Sequence, residues 1–331
     1  MTKSKDSQSK EFHLGKHQFD PGDPTRICAI VNVTPDSFSD GGKWDSTEKA
    51  VKHGLDLVNA GVDMLDIGGE STRPGSHYVE IEEEIQRVVP VIRALREKTD
   101  CLISVDTWKA PVAKAALEAG ADIINDITGL IGDPEMAGVI AEKEAGLIAM
   151  FNPVVIRPDH PNSKKFPSFG KGEAFSEEEK AQAAKEKDIL VLLHQYLERS
   201  LELAKKAGIP DRHILLDPGI GFGLSKRDNL RLIQHVTDLH EMGYGAFLGV
   251  SRKRFIVNML QDAEIPVDSS QEAGFKNRDF GSAILTALAA REGVEVVRVH
   301  SVEEHRIAAL IADAVRLADS QEDVNFSAYQ K

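Results

Sequence analysis

The sequence is poor in cysteine and has no long apolar run. Only two cysteines occur among its 331 residues, Cys28 and Cys101, and each lies within a short apolar stretch. We predict two small buried side chains from this placement, not a disulfide or a metal pair. No stretch approaches the roughly 18 apolar residues of a membrane span, and residues 1–25 are polar and mixed in charge, with no hydrophobic signal region. We therefore expect a soluble, cytoplasmic protein without a membrane partner.

Basic residues are fewer than acidic ones. Lys and Arg number 40 against 53 Asp and Glu, which gives a net charge of −13. A chain this acidic is a poor candidate for charge-driven binding of nucleic acid, although a few converging cations can still bind a small anion. Hydrophobic residues make up 41% of the chain, which is enough for one large core.

A repeating pattern runs along the chain: an amphipathic stretch, a glycine, a short apolar run and then a polar residue. The glycine is typical of a left-handed residue that ends a helix. An apolar run of this length is typical of a strand that is buried on both faces. The glycines in this position are Gly61, Gly120, Gly146, Gly208, Gly243 and Gly293.

Eight such apolar runs occur, and predicted helices separate nearly all of them. The strands should therefore be parallel, and eight parallel strands predict a single-domain (β/α)8 TIM barrel; an open doubly wound sheet is the alternative. We place the barrel at residues 26–320, between a polar N-terminal tail (1–25) and a C-terminal tail (321–331). The predicted strands end near Asn32, Asp66, Asp106, Asn125, Met150, Asp217, Val250 and His300.

Two long polar segments interrupt the pattern, residues 152–187 after the fifth strand and 261–278 after the seventh. Both follow the carboxyl ends of strands, so both should lie on the face where barrel enzymes carry their active sites. They are either loops that cover the site or tolerated surface insertions.

Polar residues cluster at the strand ends, although a barrel interior is a packed core. A single Asp or Asn before a helix is usually an N-cap, and Asp66 and Asp126 could be only that. Polar ends on nearly all eight strands predict a site on the C-terminal face. The residues are Asn32, Asp66, Asp106, Asn125, Asp126, Asp217, Ser251, Lys253, Arg298 and His300.

Arg298 and His300 are two residues apart on the eighth strand, so their side chains should point to the same side. A predicted helix begins near Glu303, and its N-terminal amides favour anions. With Arg252 and Lys253 just beyond the seventh strand, we expect an anion pocket here. A salt-bridge network with nearby carboxylates is the alternative.

Seven motifs make the chain recognisable. They are VNVTPDSFSDGG (31–42), DIGGESTRPGS (66–76), SVDTWKA (104–110), NDITGL (125–130), LDPGIGFG (216–223), GVSRKRF (249–255) and RVH (298–300). In this order and at strand ends, they resemble the dihydropteroate synthase family of pterin-binding TIM barrels. The resemblance implies a transferase of folate biosynthesis that joins 6-hydroxymethyl-7,8-dihydropterin pyrophosphate to p-aminobenzoate, giving 7,8-dihydropteroate and pyrophosphate.

The family's functional residues can be carried over to matching positions. Carboxylates and amides suit the N–H donors of a pterin edge, and an ammonium suits its acceptors. Pterin contacts are implied for Asp106, Asn125, Met150, Asp217, Phe222, Gly249 and Lys253, although Met150 could be simply core. Pyrophosphate contacts are implied for Asn32, Thr72, Arg73, Ser251, Arg298 and His300. The catalytic set would be Lys253, Arg298, His300 and Asp106, and the loops over the p-aminobenzoate site would carry Asp36, Ser37, Phe38 and Pro74.

The resemblance also implies a cofactor and partners. Asn32 would bind Mg²⁺, with pyrophosphate and water completing the octahedron because one neutral oxygen holds this ion poorly. Sulfonamides should compete with p-aminobenzoate, and a homodimer should form through barrel-wall helices. The chain departs from the usual pattern at Phe151 and Asn152 after the fifth strand, at Ser301, and in the length of the fifth loop.

Three other interpretations are weaker. A pterin-dependent methyltransferase domain would share the pterin residues but would not need Arg298, His300 or the TRPG loop. A non-catalytic pterin-binding paralogue would not need the cationic side of the pocket. The GIGFG stretch (219–223) lacks the G-x-G-x-x-G spacing of a dinucleotide site and follows the sixth strand instead of the first.

Overall fold

Eight parallel strands close into a barrel. The computed structural model describes residues 12–14, 17–20, 22–34, 43–170 and 173–320. Two short strands, β1 (Phe12–Leu14) and β2 (His17–Phe19), precede the barrel and pair with each other in antiparallel fashion. The barrel strands are β3 (Arg26–Asn32), β4 (Met64–Gly68), β5 (Leu102–Asp106), β6 (Ile123–Asp126), β7 (Gly146–Met150), β8 (Ile214–Asp217), β9 (Gly245–Leu248) and β10 (Val296–Val299).

Each barrel strand from β3 to β9 pairs with the strand that follows it, and β10 pairs in parallel with β3 to close the ring. This confirms the predicted (β/α)8 barrel and excludes the open sheet. No helix in the described ranges has both the length and the apolar character needed to cross a bilayer.

Helices surround the barrel as the sequence pattern predicts. Five of the six predicted helix-ending glycines have positive φ; Gly208, for example, has φ +88° and is the C-cap of a long helix. The prediction for Gly146 was wrong. Gly146 is the first residue of β7, and the left-handed residue before this strand is Glu144 (φ +50°). The helices are α1 (Lys43–Asn59), α2 (Ile81–Arg96), α3 (Ala110–Glu118), α4 (Met136–Glu142), α5 (Pro153–Ile156), α6 (Glu177–Ala183), α7 (Ile189–Ala207), α8 (Lys226–Gln234), α9 (Asp238–Glu241), α10 (Arg254–Asp262), α11 (Glu272–Arg291) and α12 (Val302–Arg316), with 3-10 turns at Ser163–Lys165, Asp211–His213 and Ala318–Ser320.

The N-terminal end of the barrel interior is apolar. Because side chains alternate along a strand, every second residue points inward. The inward residues at this level form one cluster with the β1–β2 hairpin, which packs beneath the barrel through Phe12, Leu14 and Phe19. This hairpin lies within the stretch predicted as a polar tail, and its three apolar side chains cover the barrel floor. The cluster also contains Cys28, Met64, Leu102, Ile123, Ile148, Leu215, Phe247 and Val296.

The two cysteines are free, as predicted: Cys28 lies in this apolar cluster, and Cys101 is half-buried. The larger core lies between the outward faces of the strands and the helices. The boundaries at residues 26 and 320 stay a prediction, and the predicted tail at 321–331 lies outside the described residues.

The two long segments contain more regular structure than expected. Residues 152–187 include α5, α6 and the turn Ser163–Lys165. The second segment is shorter than predicted because α11 already begins at Glu272. Its remaining residues fold back onto that helix, where the Arg278 Nε donates to the Val267 carbonyl at 2.6 Å.

Candidate active site

The interior changes from apolar to charged within two residues of the apolar floor. A residue two positions after an inward residue on a strand also points inward, and it lies about one layer closer to the C-terminal end of the barrel. Leu215 is thus followed by Asp217, and Val296 by Arg298. The strand ends predicted from the sequence therefore meet at the C-terminal mouth of the barrel. The inward residues of this upper layer are Ile30, Asp66, Ser104, Asn125, Met150, Asp217, Gly249 and Arg298.

Arg298 lies at the centre of this layer. Its Nε donates to Asp66 Oδ2 at 2.5 Å and its Nη2 donates to Asp106 Oδ2 at 2.7 Å. The guanidinium therefore links strands β4, β5 and β10 across the barrel. Two carboxylates fix its plane, and the N–H groups that do not face them remain to bind an anion.

The carboxylate of Asp66 is a shared hydrogen-bond acceptor in this layer. It accepts hydrogen bonds from Ser104 Oγ at 2.5 Å and from Asn125 Nδ2 at 3.2 Å, besides the one from Arg298. All its partners are barrel residues, and its side chain is fully buried. The N-cap interpretation of Asp66 is therefore wrong. For Asp126 it is close to correct, because that carboxylate binds the backbone N–H groups of Thr128 and Leu130.

Burial shifts the ionisation of this layer. It raises the pKa of Asp106 to about 7, although the Arg298 guanidinium opposes the shift. Burial alone would lower the pKa of Arg298, but Asp66 and Asp106 raise it above its usual value. The site thus combines a permanent cation with a carboxyl that titrates near neutrality.

A second charged pair lies beside Phe222. Asp217 Oδ1 accepts the Gly219 backbone N–H at 2.7 Å, and Lys253 Nζ lies 5.0 Å from the Phe222 ring centre. Burial raises the pKa of Asp217 to about 6 and lowers that of Lys253 to about 8, and each charge partly offsets the other's shift. Gly221, with φ +90°, leaves room for the lysine, since a Cβ there would lie 2.8 Å from Lys253 Cδ.

The cationic side of the site contains His300 and Ser251. Ser251 Oγ lies 3.1 Å from His300 Nδ1 and accepts the His300 backbone N–H at 3.2 Å. Burial, followed by the charges of Arg298, Arg252 and Arg73, lowers the pKa of His300 to about 2. The imidazole is therefore neutral in this structure.

Loop two (residues 69–80) approaches this side from above. Thr72 is half-buried, whereas Arg73 and Pro74 are exposed. The charge of Arg73 contributes to lowering the pKa of both His300 and Lys253, so its guanidinium lies close to the mouth. Asp36, Ser37 and Phe38, predicted on loop one, lie outside the described residues.

Asn32 lies at the mouth beside Asp106. A Cβ added at Gly68 would lie 3.6 Å from Asn32 Oδ1 and 3.9 Å from Asp106 Oδ2, so two oxygen donors face the same small space. Hard oxygen donors of this kind suit Mg²⁺. Within the described ranges no group of three or more His, Cys, Asp or Glu forms a metal site. An ion here would therefore need oxygens from its substrate and from water.

Comparison with known proteins agrees with this geometry. The family model described as pterin binding enzyme matches residues 28–300. A dihydropteroate synthase of Clostridium beijerinckii is 38% identical over 303 residues, which cover 91% of this chain and 98% of that protein. The chain belongs to the dihydropteroate synthase family. The transferase function in folate biosynthesis predicted from the motifs is thereby confirmed.

Solved structures support the same family. A Clostridium difficile dihydropteroate synthase crystallised in the presence of pteroic acid has a TM-score of 0.74 and 38% identity, covering 90% of this chain and 98% of that chain. The Yersinia pestis dihydropteroate synthase in a sulfonamide drug complex has a TM-score of 0.74 and 31% identity, covering 93% of this chain and all of that chain.

The departures from the usual family pattern have local explanations. Phe151 is fully buried and packs edge-on against Tyr196 of α7 at 5.5 Å, so it faces the helical wall. Asn152 caps α5 by accepting the Val154 N–H at 3.0 Å. Ser301 donates a hydrogen bond to Glu304 in the first turn of α12. The three departures thus serve wall packing, helix capping and the start of α12.

The long fifth loop lies over the site, which favours the covering role over a tolerated insertion. Phe166 stacks on Phe222 with ring centres 5.8 Å apart, and Phe169 meets Trp108 edge-on at 6.4 Å. The Lys165 carbonyl accepts the Gly75 N–H at 3.1 Å, which joins loop five to loop two.

A buried ion network behind loop two was not predicted. Lys109 Nζ lies 2.6 Å from Glu84 Oε2 and 3.1 Å from Glu70 Oε2, and Trp108 Nε1 also donates to Glu70 at 3.1 Å. The only sequence signal was the position of Trp108 and Lys109 within the SVDTWKA motif. The network attaches the start of loop two to the loop after β5.

Proposed function

We propose that the charged mouth of this barrel binds the pterin pyrophosphate with the pterin towards Asp217 and Asn125 and the pyrophosphate towards Ser251 and His300. The observation that carries the proposal is the position of Arg298. It contacts Asp66, the residue that holds Asn125, and it lies on β10, which ends at Val299, one residue before His300. The hydrogen-bonding groups for a flat heterocycle and for its diphosphate therefore share one cavity.

For the pterin, the proposal rests on complementary donors and acceptors. Asp217, Asp106 and Asn125 would pair with the exocyclic amine and ring N–H groups, and Lys253 with the ring acceptors. Asp217 is almost fully buried, so its bonds would form away from water, where each contributes more. Met150, Phe222 and Gly249 would provide the surfaces around the ring, and the absence of a side chain on Gly249 leaves room above Asp217.

For the pyrophosphate, the groups are Ser251, His300, Thr72 and Arg73, together with Arg298. Arg73 comes from an exposed position on loop two, so it would complete the pocket when the substrate binds. Asn32 would hold Mg²⁺, which when bound supplies positive charge to the pyrophosphate oxygens.

The reaction is a substitution at the pterin methylene carbon. The bond from this carbon to the pyrophosphate oxygen breaks, the arylamine nitrogen bonds to the carbon, and that nitrogen then releases a proton. An arylamine is neutral at pH 7, so the chain needs no strong general base. Arg298 and its neighbours instead stabilise the charge on the departing oxygen, which is preorganised electrostatic catalysis. Lys253, with a pKa of about 8, remains mostly protonated at neutral pH.

The p-aminobenzoate would bind last, beneath loops one and two. Pro74 lies exposed on loop two, and Asp36, Ser37 and Phe38 would act from loop one. Both loops would close on the pyrophosphate, so the second site would form only after the first is filled. Sulfonamides, which resemble p-aminobenzoate, would compete at this second site. The cytoplasmic location stays a prediction.

An exposed apolar stripe supports a homodimer. On α11, Phe280, Ile284 and Leu288 follow one another at four-residue spacing and are 65%, 48% and 54% exposed. On the adjoining α12, Leu310 and Ile311 are 69% and 61% exposed. Monomeric proteins seldom expose contiguous apolar patches of this kind. A second copy of the chain would cover this stripe, which we name the α11–α12 stripe; Ile307 and Val315 extend it.

The dimer is tested by sedimentation. Leu310→Glu places a charge at the centre of the stripe and should give a monomer, whereas Val191→Glu on α7, which is exposed outside the stripe, should leave the dimer intact. A monomeric wild-type protein at micromolar concentration would contradict the proposal.

The reaction is tested with 6-hydroxymethyl-7,8-dihydropterin pyrophosphate and radiolabelled p-aminobenzoate, with and without Mg²⁺. Labelled dihydropteroate should form only with the metal. Binding of pterin pyrophosphate without turnover would indicate a non-catalytic paralogue, and turnover of a methyl donor instead would indicate a methyltransferase.

A further inference from the structure

Arg252 has an unusual backbone conformation next to the site. It follows β9 in the turn from Val250 to Lys253, whose ends are joined by a backbone hydrogen bond of 3.4 Å. Its φ is +56°, in the left-handed region that residues with a side chain seldom adopt. Such a conformation persists only where the surroundings hold it, and held strain of this kind is concentrated at functional sites.

Helix α11 holds Arg252 from two directions. Asp279, which is 5% exposed, accepts from Arg252 Nε at 2.6 Å and from Nη2 at 2.8 Å. Ser282 Oγ accepts the Arg252 backbone N–H at 2.9 Å. The Phe275 ring centre lies 4.1 Å from the guanidinium carbon. Side chain and backbone are therefore both anchored on α11.

This anchoring resolves one question left open by the sequence. Two N–H groups of Arg252 are used by a buried carboxylate, in the bidentate geometry that arginine forms most strongly. Arg252 therefore takes part in the salt-bridge network that was the alternative to an anion pocket, as Arg298 also does through Asp66 and Asp106, but Arg252 is turned towards α11 instead of the barrel interior. Its charge still contributes to lowering the pKa of His300.

The residues on either side of Arg252 in the chain, Ser251 and Lys253, are the ones proposed to bind the substrate. Ser251 contacts His300, and Lys253 lies over Phe222. A change of φ at Arg252 would rotate the chain between these two side chains, so one of them would leave its position.

We propose that Asp279 and Ser282 are positioning residues for the reaction: they hold Arg252 in its left-handed conformation and thereby place Ser251 and Lys253 in the site. The inference rests on the proposed roles of Ser251 and Lys253. It adds a specific function for α11, whose opposite face carries the α11–α12 stripe.

The test measures the binding of inorganic pyrophosphate with Mg²⁺ and of phosphate-free 6-hydroxymethylpterin by calorimetry, along with kcat and KM. Asp279→Ala should weaken the binding of both ligands and lower kcat/KM by about 10- to 100-fold, as expected for displaced site residues. If Arg252 were itself an anion ligand, Asp279→Ala would free its charge, and pyrophosphate would bind as tightly as before or more tightly. That result would overturn the proposal.

A second pair of variants tests the backbone directly. Glycine adopts positive φ without strain, whereas alanine does not. Arg252→Gly should therefore retain more affinity for both ligands than Arg252→Ala, and adding Arg252→Gly to Asp279→Ala should recover part of the loss. Equal losses in the glycine and alanine variants would refute the positioning role.

Controls separate this proposal from folding and from the proposed function. Glu272→Ala removes an exposed ion pair with Lys276 on the same helix and should leave binding unchanged. If Asp279→Ala does not fold, the milder variants Asp279→Asn and Ser282→Ala replace it, and their binding of pyrophosphate and pterin is compared with that of the wild-type protein. Failure of the wild-type protein to bind pyrophosphate would reject the proposed function itself, whereas wild-type binding with an unaffected Asp279→Ala would reject only the positioning role.

Discussion

Asp66 offers the sharpest test of how the site is built. Its carboxylate accepts from Ser104 Oγ, Asn125 Nδ2 and Arg298 Nε, at 2.5, 3.2 and 2.5 Å, and it is fully buried. Asp66→Ala removes the common acceptor of three donors, and with it one of the two carboxylates that balance the charge of Arg298.

The expected cost follows from these contacts. Removing one partner of a buried ion pair costs about 3–5 kcal/mol because a charge is left uncompensated. Asp106 still contacts Arg298, and Ser104 Oγ can donate to the Leu65 carbonyl, 3.4 Å away. We therefore expect Asp66→Ala to lower the free energy of unfolding by about 3 kcal/mol, towards the lower end of that range. Asp66→Asn keeps the size but loses the charge, and should cost about 1.5–3 kcal/mol.

Urea denaturation, followed by circular dichroism, measures these changes. Asp262→Ala is the matched control, since it breaks an exposed pair with Lys226 and should change the free energy by less than about 1 kcal/mol. If Asp66→Ala unfolds with a free energy indistinguishable from that of the control, Asp66 does not hold the polar layer together. The interpretation of Arg298 as a bridge across the barrel would then be wrong.

Four further outcomes are expected. Asp217→Ala should leave a folded barrel and weaken pterin binding by about 2–4 kcal/mol, as paired charge-assisted hydrogen bonds are lost; unchanged calorimetry would refute its role. Arg298→Lys keeps the charge but cannot bridge Asp66 and Asp106, so pyrophosphate affinity and kcat should fall more than the affinity for a phosphate-free pterin. Equal loss of both affinities would show that the pocket is partitioned incorrectly. Because burial raises the pKa of Asp217 to about 6, the carboxylate is lost as the pH falls through that value. Pterin affinity should therefore drop below pH 6, and the same inflection in Asp217→Asn would assign it to another group. Finally, p-aminobenzoate should bind tightly only with Mg²⁺ and pyrophosphate present, and equal binding to the bare protein would exclude loop-ordered assembly.

Much of the fold could be predicted because it is a local property of the chain. The apolar runs show which segments are strands, and the glycines at Gly61, Gly120, Gly208, Gly243 and Gly293 show where helices end. The prediction that Gly146 ends a helix failed because a glycine can equally begin a strand. The β1–β2 hairpin escaped prediction because its few apolar residues, among them Phe12 and Phe19, are interspersed with polar ones.

The candidate site was predictable to a similar degree. Alternation along each strand indicates which side chains point inward, and the structure brings Asp106, Asn125, Asp217 and Arg298 to one mouth. For Asp66 the sequence left a helix cap open as an alternative, although a charged residue in the middle of the apolar run MLDIG was a signal against it.

What the sequence determined by itself is the order of strands and helices, the side to which each strand residue points, and the family. Only the tertiary structure decided which charged residues form ion pairs. Arg298 pairs with Asp66, 232 positions away in the sequence, and Arg252 pairs with Asp279 instead of facing the anion pocket. The tertiary structure also revealed that the outer faces of α11 and α12 form one apolar stripe. The physical reason is that strand and helix periods are set by local backbone geometry, whereas ion pairs and surfaces depend on distances that exist only after the barrel closes.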